Sequence, residues 1–206
     1  LALELLAIAQ GQGVVVMNDP ATLARATTKL YLCGLPEHLR PYTLVSQDRR
    51  RLKDFVESRP RSVLKPLSGT RGQDVFLVQP GAANLNQILD VLCRQGLAMA
   101  QDFVPEAVDG DIRIVVLGGR VLSAGGAACA VRRFPPPHDF RSNVAVGGEP
   151  QPARLGEELM AVAEEAAQLL LEDGIHLAGL DAIGLKLVEV NVFATGGLPD
   201  AGRFAG

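Results

Sequence analysis

Only three of the 206 residues are cysteine: Cys33, Cys93 and Cys129. They are odd in number, widely spaced, and without His or Cys neighbours at metal-binding intervals. That excludes a disulfide framework or a zinc site and reads as reduced thiols in a cytosol. No run of about 18 apolar residues occurs, and no basic-then-apolar leader, so the sequence predicts no membrane span and a cytoplasmic chain. A strong charge of either sign is also missing. The net charge of -3 gives no footprint for nucleic acid or an anionic membrane, although basic residues cluster at Arg49, Arg50, Arg51 and at Arg132, Arg133. Any polyanion held here is small. His38, His138 and His176 have no partner at ligand or triad spacing, no Gly-x-x-x-x-Gly-Lys-[Ser/Thr] loop is present, and no repeat with a period of 20 to 50 residues appears.

What is present suits an ordinary globular chain: 48% hydrophobic and 21% charged residues, enough for one sizeable core or two small lobes. Residues 1–10 look like the end of an amphipathic helix, and the chain opens without Met, so it is expected to be part of a longer protein. Gly13-Val-Val-Val-Met17 reads as a short strand, and Asn18-Asp-Pro starts a helix that ends near Gly34-Leu-Pro36. Strands are expected at 43–46, 62–66, 75–78 and 97–103, with helices at 48–57 and 84–95. Residues 112–117 pair with 121–130 across Gly118-Gly119. The polar, proline-rich stretch 132–152 reads as a surface loop, 156–171 as an amphipathic helix, and 176–192 as a strand pair. The class is α+β with mainly antiparallel sheets.

Chemistry concentrates in Leu180-Asp-Ala-Ile-Gly-Leu-Lys-Leu-Val-Glu-Val-Asn-Val192, an oily run holding Asp181, Glu189 and Asn191. Buried carboxylates need a compensating partner. Glu189 and Asn191 share a strand face, and a three-residue turn at 184–186 sets Asp181 opposite Glu189. Two carboxylates and an amide carbonyl suit a hard cation such as Mg²⁺ that keeps phosphate oxygens in its other positions; the bland alternative is an exposed strand face with solvated charges. Lys65 stands at a strand end just before a glycine loop, where it either grips phosphate or faces solvent. Arg113, two residues after Asp111, and Arg133 with Arg141 are candidate anion clamps, or solvated surface charges.

Taken in order, Lys29-Leu-Tyr after Asn18-Asp-Pro, Leu64-Lys-Pro-Leu-Ser-Gly69, Met99-Ala-Gln-Asp-Phe-Val-Pro105, Asp109-Gly-Asp-Ile-Arg113, Arg141-Ser-Asn-Val-Ala-Val-Gly-Gly148, and Leu180-Asp181 with Glu189-Val-Asn191 resemble the ATP-grasp ligases, most closely the ATP-binding part of bacterial glutathione synthetase. The resemblance implies a single ATP-grasp domain over 1–206, whose two α+β lobes grip the nucleotide: a lid lobe at 43–104 and a larger lobe at 14–42 and 105–206. It implies that the family's N-terminal substrate and dimer domain is absent from this chain. Lys29 and Lys65 then contact ATP phosphates beneath a loop carrying Gly69 and Gly72. The backbone at Gln101, Asp102, Phe103 and Val104 reads adenine, and Asp111 belongs to the nucleotide site. Asp181, Glu189 and Asn191 hold two Mg²⁺, with Mn²⁺ the other candidate. Arg113 and Arg133 stabilise the transferred phosphoryl group and the acyl substrate, and Arg141 and Asn143 lie in a closing loop.

The implied activity is that of a Mg-ATP-dependent carboxylate-amine ligase, forming an amide through an acyl phosphate in glutathione biosynthesis. Its substrates are γ-glutamylcysteine and glycine or analogues, and its full-length form is a homo-oligomer. A nucleotide-binding module without ligase activity and a small-molecule kinase on the same fold are the alternatives. After Asn191 the chain reads Val-Phe-Ala-Thr-Gly-Gly-Leu-Pro-Asp, where glutathione synthetases carry a Thr-Ser-Pro-Thr type of sequence. That departure leaves the acid and amine open, while a glycine turn offers backbone N–H groups to a substrate carboxylate.

Overall fold

The computed structural model describes residues 1–69, 72–136, 141–142, 149–193 and 195–205. Helix α1 (Ala2–Gly11) buries none of its own side chains. The strand expected at 13–17 does not form: these residues run as turn and coil, with Val15 94% exposed. Three valines favour a strand only where a neighbour takes up their N–H and C=O groups, and no described strand lies beside them. Asp19 caps α2 (Pro20–Arg25), its Oδ1 accepting from the N–H groups of Ala21 (2.8 Å) and Thr22 (3.0 Å). The helix expected to run on to Gly34 stops at six residues. Thr28 caps a separate 3₁₀ helix, Lys29–Gly34, by accepting from Leu30 N–H, so a β-branched pair with a competing hydroxyl splits the element.

A four-stranded antiparallel sheet follows, built from β1 (Thr43–Ser46), β2 (Ser62–Pro66), β3 (Phe76–Val78) and β4 (Ala98–Asp102) in the order β1-β4-β2-β3. Helix α3 (Arg49–Glu57), capped by Asp48, buries Leu52, Phe55 and Val56. Helix α4 (Leu85–Arg94) buries Leu85, Ile88, Leu89 and Leu92, one stripe at helical spacing. These side chains form one core with Leu64, Val78, Ala98 and Ala100.

The second sheet contains β5 (Asp111–Leu117), β6 (Arg120–Val121), β9 (Ala130–Phe134), β10 (Glu149–Pro152), β11 (Leu177–Ile183) and β12 (Lys186–Asn191), in the order β10-β9-β5-β11-β12 with β6 on β5. Ile112, Ile114 and Val116 alternate with Asp111, Arg113 and Val115 along β5. The first set joins Ala178, Leu180, Ala182 and Leu187 against Ala163, Ala166, Ala167 and Leu170 of α5 (Glu157–Glu172). The other set is left to the opposite face. The strand expected at 121–130 is broken. Gly118, Gly119, Gly125 and Gly126 all adopt positive φ, and a separate two-stranded hairpin of β7 (Ser123–Ala124) and β8 (Ala127–Ala128) intervenes before β9 returns to β5. The loop expected at 132–152 is in part a strand pair, β9 with β10. Helix α6 (Leu198–Ala205) closes the chain. Among the described residues, no helix is long and apolar enough to cross a membrane.

Candidate functional site

The β11–β12 hairpin puts the first polar groups in place by a route the spacing did not predict. Its turn has two residues, Gly184 and Leu185, so Ile183 faces Lys186 and Ala182 faces Leu187. A regular ladder would then set Asp181 against Val188. The register instead slips between Asp181 and Ala182, Val188 is the extra residue, and Asp181 faces Glu189 as a three-residue turn would have arranged. The Val188 carbonyl accepts from Lys65 Nζ at 3.2 Å, across from the other sheet.

Register extends the pattern sideways. Asp181 lies opposite Arg113 on β5, and Asp111 on β5 lies opposite Arg133 on β9. Opposite charges thus stand side by side across three strands, on the face away from α5. Arg133 donates Nε to Asp111 Oδ1 at 2.8 Å, its Nη2 binds Asp111 Oδ2, and that Nη2 also lies 2.9 Å from Asp181 Oδ1. Arg113 takes Asp181 through Nε and through Nη2, the latter at 2.9 Å, and donates Nη1 to the Gly196 carbonyl at 2.9 Å. All four side chains are buried. Burial alone would raise Asp181, but the Arg113 and Arg133 guanidiniums outweigh it and hold its carboxyl below the ordinary range. Burial and then the charge of Asp181 push Asp111 upward, against Arg133 and the Ser142 hydroxyl.

Next to this ladder, Lys29 Nζ donates to the Gly69 carbonyl at 2.6 Å and stands 3.8 Å from Glu189 Oε1. Arg141 Nη1 donates to the Gly72 carbonyl at 2.7 Å. Burial pushes the Lys65 ammonium down to about 8, with Glu189 opposing that fall. Lys29, Lys65, Gly72, Arg141, Asp181 and Glu189 line one cavity to which both sheets contribute. Val63, Val75, Ala107, Ile183 and the 101–104 segment line it as well. In that segment the N–H groups of Asp102 and Phe103 are taken by the carbonyls of Tyr42 (3.0 Å) and Arg61 (3.3 Å). Gln101 is fixed by donating Nε2 to Thr43 Oγ1 at 3.0 Å.

Of the residues singled out from sequence, Lys29, Lys65, Gly72, Gln101, Asp102, Phe103, Val104, Asp111, Arg141, Asp181 and Glu189 line this one cavity. Gly69 touches it through Lys29. Arg113 and Arg133 sit behind Asp181 with their forks turned to carboxylates, and Asn191 donates Nδ2 to Asp181 Oδ2 at 3.3 Å. Asn143 lies outside the described residues. Sequence reading missed Val63 and Ile183, each two positions from a chosen residue and recoverable from strand alternation. It also missed the function of Asn18. Asn18 Oδ1 accepts from His176 and Leu177 N–H, both at 2.7 Å, and its Nδ2 donates to the carbonyls of Leu177 (2.8 Å) and Val192 (3.2 Å), pinning the start of β11 to the end of the metal-candidate strand.

As a metal donor set, Asp181, Glu189 and Asn191 supply hard oxygens on adjacent strands, which fits a divalent cation whose remaining positions go to phosphate or water. With only two carboxylates the set is no self-sufficient cage, and no group of three or more His, Cys, Asp or Glu side chains suited to a metal occurs among the described residues.

Comparison with known proteins adds an independent line. Residues 28–205 match the family described as the ATP-grasp domain of prokaryotic glutathione synthetase. The chain is 34% identical to a glutathione synthetase of Thermosynechococcus vestitus over 197 residues, covering 95% of this chain and 60% of that one. It is 37% identical to one of Vibrio cholerae over 186 residues, 89% and 57% of the two lengths. The chain thus spans about 60% of the length of the curated relatives it matches. An ATP-grasp RimK-domain protein from Sphaerobacter thermophilus shares the fold at a TM-score of 0.63 and 23% identity, over 99% of this chain and 75% of that one.

Proposed function

The chain belongs to the ATP-grasp domain family of prokaryotic glutathione synthetases, and from that premise we propose that it is the nucleotide-handling part of an ATP-dependent carboxylate-amine ligase. The observation that carries this reading is that one cavity is lined both by Lys29, Lys65, Asp181 and Glu189 and by apolar Val63, Val75 and Ile183 with the 101–104 segment. Adenine fits between Val63 and Ile183. Val104 N–H donates to none of the described residues, while its two predecessors are already paired, so it is the donor for a ring nitrogen.

The phosphates extend toward Lys29 and Lys65, under the loop that carries Gly69 and Gly72, with 43–104 acting as the lid. Asp181, Glu189 and Asn191 are the residues that would hold Mg²⁺, which when bound neutralises phosphate charge. Asp111 positions Arg133. The chemistry is transfer of the γ-phosphoryl group to an acid's carboxylate oxygen, giving an acyl phosphate and ADP. The nitrogen of an amine then attacks the acyl carbon, phosphate leaves, and the amine proton passes to solvent. For such a reactive anhydride, positioning, charge neutralisation by arginine and exclusion of water are what the chain must supply. No nucleophilic side chain is needed.

The test is ADP release from Mg-ATP with γ-glutamylcysteine and glycine, and then with other acid and amine pairs, following products by mass. ADP that requires both an acid and an amine, with an amide product, supports the ligase. ADP formed with an alcohol acceptor identifies a kinase, and Mg-dependent nucleotide binding without turnover on any pair identifies a binding module.

A further inference from the structure

Each oxygen of Asp181 has two donors. Oδ1 accepts from Arg113 Nε and Arg133 Nη2, and Oδ2 from Arg113 Nη2 and Asn191 Nδ2. An ionised carboxylate offers about four lone-pair sites, so this one is saturated. A Mg²⁺ or Mn²⁺ ion bonds oxygen at about 2.1 Å and cannot share a lone pair with a guanidinium, so a donor has to leave. The three donors differ in what they have to fall back on. Asn191 can turn its amide and offer oxygen to the same cation, but the site this frees is on Oδ2, where Arg113 Nη2 still holds the oxygen that the cation must approach. Arg133 keeps a two-pronged hold on Asp111. Arg113 retains only the Gly196 carbonyl.

Resting on the metal reading of Asp181, Glu189 and Asn191, we propose that Arg113 is a latch. It competes with the divalent cation for Asp181, so that metal loading turns its guanidinium toward the reacting acid. A buried guanidinium displaced from its carboxylate requires another anion, and the acid's carboxylate or the phosphoryl group beside it supplies one. Metal and acid therefore favour each other's binding, and the coupling is reciprocal. Arg113 also carries the 195–197 turn through Gly196, which links that turn to the state of Asp181.

Gly179 keeps the track open. A Cβ there would lie 2.9 Å from Arg113 Cδ, 3.0 Å from Thr195 Cγ2 and 3.2 Å from Arg113 Nη1. The glycine stands opposite Asn191 in the ladder, where any larger side chain would wedge the arginine against the turn.

Binding of Mn²⁺ with saturating ADP present, measured by water-proton relaxation, tests the latch in the wild-type chain, Arg113→Met, Arg113→Lys and Asp181→Asn. Removing two charge-assisted donors from Asp181 is expected to tighten Mn²⁺ binding about tenfold or more in Arg113→Met. Arg113→Lys keeps the charge without the two-pronged hold and is expected to recover at least half of that gain on a logarithmic scale. An Arg113→Lys chain that binds like wild type while Arg113→Met tightens would show simple charge repulsion and overturn the latch. Unchanged or weaker binding in both variants overturns it too and leaves the metal site standing. Equal binding by wild type and Asp181→Asn, or none by either, removes the metal reading and the latch with it.

Discussion

Lys65 offers a quantitative test, because the structure assigns it opposing effects on stability and on binding. Its ammonium is 7% exposed, and burial lowers it from 10.5 to about 8, with Glu189 opposing the fall and Lys29 adding to it. That gap corresponds to about 3 kcal/mol of penalty for keeping the group charged in the folded chain. The folded chain holds this proton less tightly than the unfolded one. The penalty is therefore complete below pH 8 and is relieved as pH rises toward 10.5. Lys65→Met removes the penalty at pH 7 but leaves the Val188 carbonyl without its donor, a loss of about 1 kcal/mol. The net expectation is about 2 kcal/mol of stabilisation, or roughly 4–8 °C in Tm for a chain of this length. At pH 9.5 the gain should shrink by about 2 kcal/mol, since much of the wild-type penalty has gone by then. Thermal unfolding of both proteins at the two pH values, without nucleotide, measures this directly, and ATP affinity measured alongside should collapse in the variant. A Lys65→Met chain that melts below wild type at pH 7, or a difference independent of pH, refutes the reasoning.

Glu189→Ala should abolish ADP formation while changing stability by less than about 1 kcal/mol, because that carboxylate is 30% exposed and its lysine partner is 3.8 Å away; undiminished ADP production would take Glu189 out of the metal site. Asn18→Ala removes four hydrogen bonds to backbone groups at both ends of the β11–β12 unit and should lower stability by about 3 kcal/mol, roughly 6–12 °C. A shift under about 3 °C would mean that water replaces the amide. Gly110→Ala places a Cβ 2.0 Å from the Arg133 carbonyl at a φ of +83°, so a loss of about 3 kcal/mol or more is expected, with Arg133 pushed off Asp111. Wild-type melting of that variant would contradict the contact.

Local rules carried the reading far where the controlling interactions are local. The period-two faces of β5 and β11 and the apolar stripes of α3 and α4 depend on residues a few positions apart. The opposition of Asp181 and Glu189 was legible as well, though for a reason that did not hold, since a bulge at Val188 does the work assigned to a longer turn. What stayed hidden is non-local. Asn18 meets partners 158 to 174 positions away, and no spacing rule reaches them. The valines at 14–16 carry a strand signal that only a neighbouring strand could realise. The arginines show the same limit in the site: spacing marked Arg113 and Arg133 as anion clamps, but the β9-β5-β11 register decides that Asp111 and Asp181 are the anions they hold.

That register also explains why a chain of net charge -3 can serve a polyanion. Arg113, Arg133, Asp111 and Asp181 cancel among themselves, so the sheet face is neutral while its side chains are paired. Among the described residues that line the cavity, Asp102 is paired with Arg59, and Lys29 and Lys65 remain against Glu189. The local surplus is positive although the whole chain is negative, and low-dielectric walls such as Val63 and Ile183 extend its reach. Loading Asp181 and Glu189 with a cation would increase that surplus and release a guanidinium at the same time. In the proposed ligase the lysines would thus draw the nucleotide, and the guanidinium freed by the metal would draw the second anion, the acid, beside it.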